Sequence, residues 1–157
     1  ARAVILEDPA WSRPETAEQQ QARPAFVAEW QRKLALQQAQ SPEEMLAQAR
    51  RDNPGWSPAE WEPWIMAKQQ VRLSVLDYVD GPRPAWQDLV PNIKVPGLLI
   101  TGDPEKGVII SPEWAAEAAA IWPALEVVQI PRTGHSIRRE GFDTYVKAVK
   151  AFLEKTC

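Results

Sequence analysis

Cysteine and histidine are almost absent from this chain, and their scarcity excludes several classes of protein. Among 157 residues there is one cysteine, Cys157, and one histidine, His135. A single cysteine cannot form an intrachain disulfide, and so few thiol and imidazole groups argue against a metal cluster. No apolar run approaches the length of a membrane span, and no signal peptide is visible. The formal net charge of -3 gives no electrostatic reason to expect nucleic acid or an acidic membrane as a partner. We expect a cytoplasmic protein without metal or cofactor.

The residues that are present favour an α/β protein. Hydrophobic residues make up 45% and charged residues 25% of the chain, which is typical of a globular domain. Short apolar runs at 3–6, 95–101 and 125–130 predict three buried strands. Three such strands form a small sheet, and a buried parallel strand needs a neighbour on each side. We therefore expect further strands to be supplied from outside this sequence.

Helical patterns occupy the space between the strands. Pro24 is a plausible first residue of one helix, and Ser41 with Glu44 has the spacing of a capping box. Ser57 with Glu60 repeats that spacing at the start of a long helical pattern. We predict a core strand in 1–10, a helical cap or lid in 11–90, and core strands and helices in 91–157. The cap would lie over the carboxyl ends of the strands, where ligands bind in open α/β sheets.

The only histidine follows the third predicted strand, on the loop that begins "PRTGH". Three stretches, "VILEDPAW", "VPGLLITGDPEKGVIISPE" and "VVQIPRTGHSIRRE", together with the closing "FLEK", resemble the C-terminal half of the α/β-hydrolase family. In that family the catalytic histidine lies on the loop after the last core strand, very often as Gly-His. The helical insertion matches the variable cap of the family. The resemblance therefore implies that His135 is the general base of a hydrolase.

The nucleophile that the family requires is not found in this sequence. It normally occurs as G-x-S-x-G on a sharp strand-to-helix turn, and none of the seven glycines brackets a serine at that spacing. In the family this motif precedes the strand that "AVILEDP" resembles. The resemblance implies that the N-terminal half of the same fold supplies the nucleophile, and that the isolated chain is inactive.

The acid that orients the histidine has two candidate positions. In many family members it follows the next-to-last strand, which here offers Asp103 or Glu105. In the branch that includes the haloalkane dehalogenases it follows the strand after the nucleophile, and "VILEDPAW" then assigns Glu7. We prefer Glu7 and interpret Asp8 as a strand terminator before Pro9.

Three tryptophans are candidate contacts for a small-molecule substrate. Trp11 follows the first strand at the active edge, whereas Trp61 and Trp64 lie in the predicted cap and have an alternative role in packing it. The function implied by the resemblance is hydrolysis of an ester, lactone, amide or carbon–halogen bond. The alternative is a non-enzymatic binding module of the same fold, or an inactive fragment. Arg138 and Arg139 are expected to be surface residues at a helix start, or ion-pair partners of Glu140 and Asp143, rather than an anion site.

Overall fold

The computed structural model describes residues 1–81 and 83–156, so Cys157 lies outside the described residues. Three parallel strands form one sheet in the order β1 (Val4–Glu7), β2 (Gly97–Thr101) and β3 (Leu125–Gln129). These are the three strands that the apolar runs predict, and the predicted α/β class is confirmed. All five residues of β2 are buried, as expected for a strand with a neighbour on each side.

Alternate residues of β2 point to opposite faces of the sheet, and both faces are apolar. Helices therefore pack on both faces. Leu98 and Ile100 pack with Phe152 of α8 (Phe142–Thr156). Leu99 packs on the opposite side with Ala115 of α6 (Pro112–Ile121). The oxygen of Ser111 accepts a hydrogen bond from the backbone N–H of Trp114 and so caps α6. This part also contains three shorter helical elements, α5 (Trp86–Leu89), a 3₁₀ turn at Val90–Asn92, and α7 (Ile137–Glu140).

The chain divides into two compact units. The sheet unit consists of Ala1–Arg13 and Pro84–Cys157, and the helical unit consists of Pro14–Arg83. The helical unit is shorter than the predicted insertion at 11–90. The first and last residues of that predicted insertion belong to the sheet unit instead. Trp11 stacks on Trp86 with ring centroids 4.8 Å apart. The backbone N–H of Trp86 donates to the carbonyl of Ser12 at 2.9 Å.

The helical unit begins earlier than Pro24 predicts. Its first helix, α1 (Ala17–Gln38), has Thr16 as N-cap, and Thr16 forms a complete capping box with Gln19. Pro24 therefore lies inside the helix. The prediction that Pro24 starts the helix is wrong, because α1 already begins at Ala17, where the capping box satisfies the first backbone N–H groups.

The other helices of this unit follow the capping signals in part. Ser41 and Glu44 form the predicted capping box at the start of α2 (Pro42–Asp52). Ser57 instead caps a 3₁₀ turn at Pro58–Glu60 through the N–H of Ala59, and α3 (Trp61–Gln70) follows this turn. The long helix predicted beyond Ser57 is interrupted and continues as a 3₁₀ turn, Leu73–Leu76, and α4 (Asp77–Asp80). Within 1–81 and 83–156, no helix combines the length and apolar character needed to cross a membrane.

Candidate active site

The carboxyl ends of the three strands meet at one edge of the sheet because the strands are parallel and in register. Glu7 of β1 pairs with Ile100 of β2, and Thr101 of β2 pairs with Gln129 of β3. The chain segments that leave these ends carry Asp8, Asp103 and His135 respectively. Three polar candidates are thus brought to one edge by topology alone.

One carboxylate contacts the imidazole, and it belongs to Asp8. Nδ1 of His135 lies 2.8 Å from Oδ2 of Asp8. The Asp8 side chain is fully buried, whereas the His135 side chain is 56% exposed. Because carboxylate oxygens only accept hydrogen bonds, the ring nitrogen Nδ1 is the donor in this pair. In a neutral ring the other nitrogen, Nε2, is then unprotonated and able to take up a proton.

Two further donors hold the Asp8 carboxylate in place. The backbone N–H of Ile109 donates to Oδ2 at 2.9 Å, and that of Ile110 donates to Oδ1 at 2.8 Å. A buried carboxylate requires such partners, since an unpaired one would carry a large desolvation cost. Asp8 has φ of 36°, in the left-handed region that Asp and Asn tolerate better than most residues. The turn at Asp8 directs its carboxylate to the loops that follow the other two strands.

Two glycines allow the loops after β2 and β3 to approach each other closely. A Cβ atom at Gly102 would lie 2.4 Å from the carbonyl oxygen of Thr133. A Cβ atom at Gly134 would lie 2.6 Å from the carbonyl oxygen of Lys106. The backbone N–H of Asp103 donates to Thr133 at 2.7 Å across the same contact. The Gly-His pattern thus has a physical basis, since the residue before His135 must lack a side chain.

Glu7, the preferred acid in the sequence analysis, has a different partner. Its Oε1 accepts the backbone N–H of Arg138 at 2.9 Å, and its Oε2 accepts Nη1 of Arg138 at 2.7 Å. The predicted pairing of Glu7 with His135 is therefore wrong in this structure. Burial chiefly raises the pKa of the nearby Tyr145, the negative charge of Glu7 adds to this rise, and Arg138 opposes it. Both members of the ion pair thus lie close to the start of α8.

Asp103, the other candidate acid, is likewise not the carboxylate that contacts Nδ1 of His135. Asp103 is the N-cap residue of a 3₁₀ turn at Pro104–Lys106, and its side chain makes no capping hydrogen bond there. Its backbone N–H donates to the carbonyl of Thr133, and its carbonyl accepts the backbone N–H of Lys106. Glu105 lies inside this turn and is exposed. The loop after β2 contributes backbone N–H groups that donate to Asp8. It does not contribute the carboxylate that contacts His135.

The three candidate tryptophans belong to two units. Trp11 is half-buried in the sheet unit, and it packs in the core clusters on the α6 side of the sheet. Trp61 is buried in the helical unit and stacks on Trp56 with ring centroids 5.5 Å apart. Trp64 is half-buried and packs edge-on against the same Trp56. Each ring therefore contributes to the packing of its own unit.

Clusters of potential metal ligands are not found in the part of the chain that the structure describes. Within residues 1–81 and 83–156, no group of three or more His, Cys, Asp or Glu side chains is arranged to hold an ion.

Solved structures with the same architecture are numerous, although no protein family model and no curated protein matches the sequence. An esterase from Thermogutta terrifontis is 25% identical with a TM-score of 0.61, over 99% of this chain and 56% of that chain. MenH from S. aureus is 20% identical with a TM-score of 0.66, over 99% and 59%. An enol-lactonase from Burkholderia xenovorans LB400 is 22% identical with a TM-score of 0.55, over 98% and 56%.

These likenesses define the fold. The chain has the architecture of the C-terminal part of an α/β-hydrolase, with parallel core strands, flanking helices and a helical insertion after β1. It spans a little more than half the length of the structures that it matches, 56% to 59% in these three. Two of these three structures are described as an esterase and an enol-lactonase.

Sequence reasoning missed Asp8 although the residue is next to Glu7 in the quoted motif. The available signal was the pair of consecutive carboxylates at the carboxyl end of an apolar strand. It also missed the two backbone donors, Ile109 and Ile110, because main-chain N–H groups leave no mark in a sequence.

Proposed function

We propose that this chain supplies the general base and the orienting acid of a hydrolase. His135 takes the proton from a nucleophile through Nε2, and Asp8 holds the ring by Nδ1 and stabilises the imidazolium that forms. The observation that carries the proposal is the 2.8 Å contact between the half-exposed imidazole and the fully buried carboxylate. A buried acid behind an accessible imidazole is the arrangement that this chemistry requires.

The nucleophile, in this proposal, comes from the N-terminal half of the same fold. The sequence contains no G-x-S-x-G motif. In the three-stranded sheet, β1 is an edge strand, and its residues are only half-buried although they are mostly apolar. A parallel strand of this composition normally has neighbours on both sides. The free edge of β1 is where the missing strands would pair.

The bond cleaved is most consistent with an ester or a lactone. Two of the similar structures are described as an esterase and an enol-lactonase. Cleavage of an amide or carbon–halogen bond uses the same base, and the nucleophile decides among these reactions. A serine gives acyl transfer, and an aspartate gives dehalogenation or epoxide opening. Trp11, which lies in the same unit as His135 and Asp8, remains the first candidate for a substrate contact.

Substitution of the histidine in the full-length protein tests the proposal. His135→Ala is expected to lower kcat on p-nitrophenyl esters by about 10³ or more, because the base is removed. Unfolding free energy should fall by no more than about 3 kcal/mol, since the half-exposed side chain loses one hydrogen bond to a charged group.

A matched control is Glu126→Gln, which breaks the ion pair with Lys155 elsewhere in the sheet unit. This variant should keep wild-type turnover. Normal turnover in His135→Ala together with a collapsed melting temperature would show that His135 is a packing residue and that the proposed function is wrong.

A further inference from the structure

Two consecutive carboxylates act on the same loop. Glu7 contacts Arg138, and Asp8 contacts His135, three residues earlier. In a regular strand, adjacent side chains point to opposite faces, so these two would not normally reach one segment. The positive φ of Asp8, 36°, breaks the alternation at this point. Both carboxylates are thereby directed to the segment that carries the histidine.

The contact of Glu7 with Arg138 is a two-point attachment. One carboxylate oxygen accepts the backbone N–H at 2.9 Å, and the other accepts the guanidinium at 2.7 Å. The backbone N–H is one of those at the start of α7 that have no partner within the helix. The Glu7 side chain is 14% exposed and that of Arg138 is 49% exposed. The carboxylate is therefore largely shielded from solvent, whereas the guanidinium side of the pair is open to it. A main-chain bond fixes the position of the segment, and the ionic bond adds direction.

The other end of the same segment is held by its own glutamate. Oε2 of Glu140 accepts the backbone N–H of Gly134 at 2.7 Å and closes the loop that contains His135. The loop is therefore fixed within itself by Glu140, and it is fixed to β1 by Glu7. Since β1 also leads into Asp8, Glu7 couples the position of the imidazole to that of its acid.

We propose that Glu7 is a positioning residue for His135, acting through Arg138 to keep Nδ1 within hydrogen-bonding distance of Asp8. This inference rests on the proposed function, in which the Asp8–His135 pair does the chemistry. The alternative is a surface ion pair that contributes little to stability and does not position the ring. The two differ in one observable, the state of the hydrogen bond on the ring.

Nuclear magnetic resonance of the full-length protein, labelled with ¹⁵N in its histidines, separates the two. The Nδ1–H proton that donates to Asp8 should give a downfield signal, assigned by its loss in His135→Gln. In Glu7→Gln and in Arg138→Gln this signal should broaden or disappear. Turnover of p-nitrophenyl esters should fall about tenfold through kcat with little change in KM, since misplacement of about 1 Å can cost up to 10²-fold. The double variant should be no worse than either single variant.

Glu126→Gln is the matched control, because it removes the charge of another paired glutamate in the same unit. Its ring signal and kcat should be those of the wild type. An unchanged signal and unchanged kcat in Glu7→Gln would overturn the inference, and so would additive losses in the double variant. If Glu7→Gln does not fold, Arg138→Gln carries the test from the more exposed side of the pair.

The ring signal is read without substrate. A protein that shows the signal but hydrolyses no substrate refutes the proposed function, while the response of the signal to Glu7→Gln still decides the positioning role. A wild-type protein without the signal would overturn both the pairing and the inference.

Discussion

Replacement of Asp8 by asparagine is the sharpest perturbation of this site. The change keeps the shape of the side chain and removes its charge. It also leaves the backbone unaffected, because asparagine tolerates the observed φ of 36° as well as aspartate does. The effects on activity and stability can therefore be traced to the hydrogen bonds of one carboxylate.

The cost follows from the three donors that face Asp8. Oδ2 accepts from Ile109 and His135, and Oδ1 accepts from Ile110. An amide has one oxygen, which is best placed at the position with two donors. The NH₂ group then opposes the backbone N–H of Ile110, whose residue is buried with 1% exposure. One buried unsatisfied donor costs about 1–3 kcal/mol, and the loss of charge assistance raises the total to about 2–4 kcal/mol.

The effect on turnover is expected to be larger than the effect on stability. If the amide NH₂ instead faces the ring, Nδ1 becomes an acceptor and the proton moves to Nε2, which can no longer act as the base. Either orientation removes the charge that stabilises the imidazolium. The expected loss in kcat of the full-length protein is about 10⁴, the scale found for this change in serine proteases.

Asp103→Asn is the matched control, since it makes the same chemical change on the neighbouring strand-end loop. That side chain makes no capping hydrogen bond, so unfolding free energy should change by less than about 0.5 kcal/mol. Ester hydrolysis and urea denaturation of both variants provide the comparison. If Asp103→Asn loses turnover and Asp8→Asn retains it, the assignment of the acid to Asp8 is refuted.

Two further predictions concern the loops and the sheet. Gly102→Ala should destabilise the protein by about 1–3 kcal/mol in urea denaturation, because its Cβ would lie 2.4 Å from the carbonyl oxygen of Thr133. Gly55→Ala, whose Cβ would have no atom within 4 Å, should change little, and equal effects would contradict the close approach. Residues 1–157 expressed alone should be inactive and poorly stable, because β1 has a neighbouring strand on one side only. A monomer that melts cooperatively and hydrolyses p-nitrophenyl esters would disprove this.

Local signals in the sequence account for most of the secondary structure. Apolar runs predicted the three strands, and Ser41 with Glu44 marked the start of α2, because these features depend on residues a few positions apart. The start of α1 was available by the same rule. Thr16 and Gln19 have the capping-box spacing, and this signal marks the start of α1, whereas Pro24 lies inside the helix.

Long-range packing set the features that the sequence did not reveal. The limits of the helical unit depend on the stack of Trp11 on Trp86, two rings at the two ends of the insertion. Composition gives no indication of such a contact, because each tryptophan alone is compatible with core, pocket or surface. The predicted boundaries at 11 and 90 therefore fell outside the helical unit, which spans Pro14–Arg83.

The choice between Glu7 and Asp8 shows why an acid cannot be assigned from its motif alone. A residue before proline is normally extended, and Asp8, which precedes Pro9, instead adopts a left-handed φ. Such a conformation costs about 1–3 kcal/mol and persists only where the surroundings stabilise it. Here the stabilisation comes from donors 101, 102 and 127 positions away in the chain. Charge-assisted bonds of this kind contribute about 1.5–3 kcal/mol each, enough to offset the strain. The fold therefore selects the partner of His135 through contacts that only form once the three loops meet.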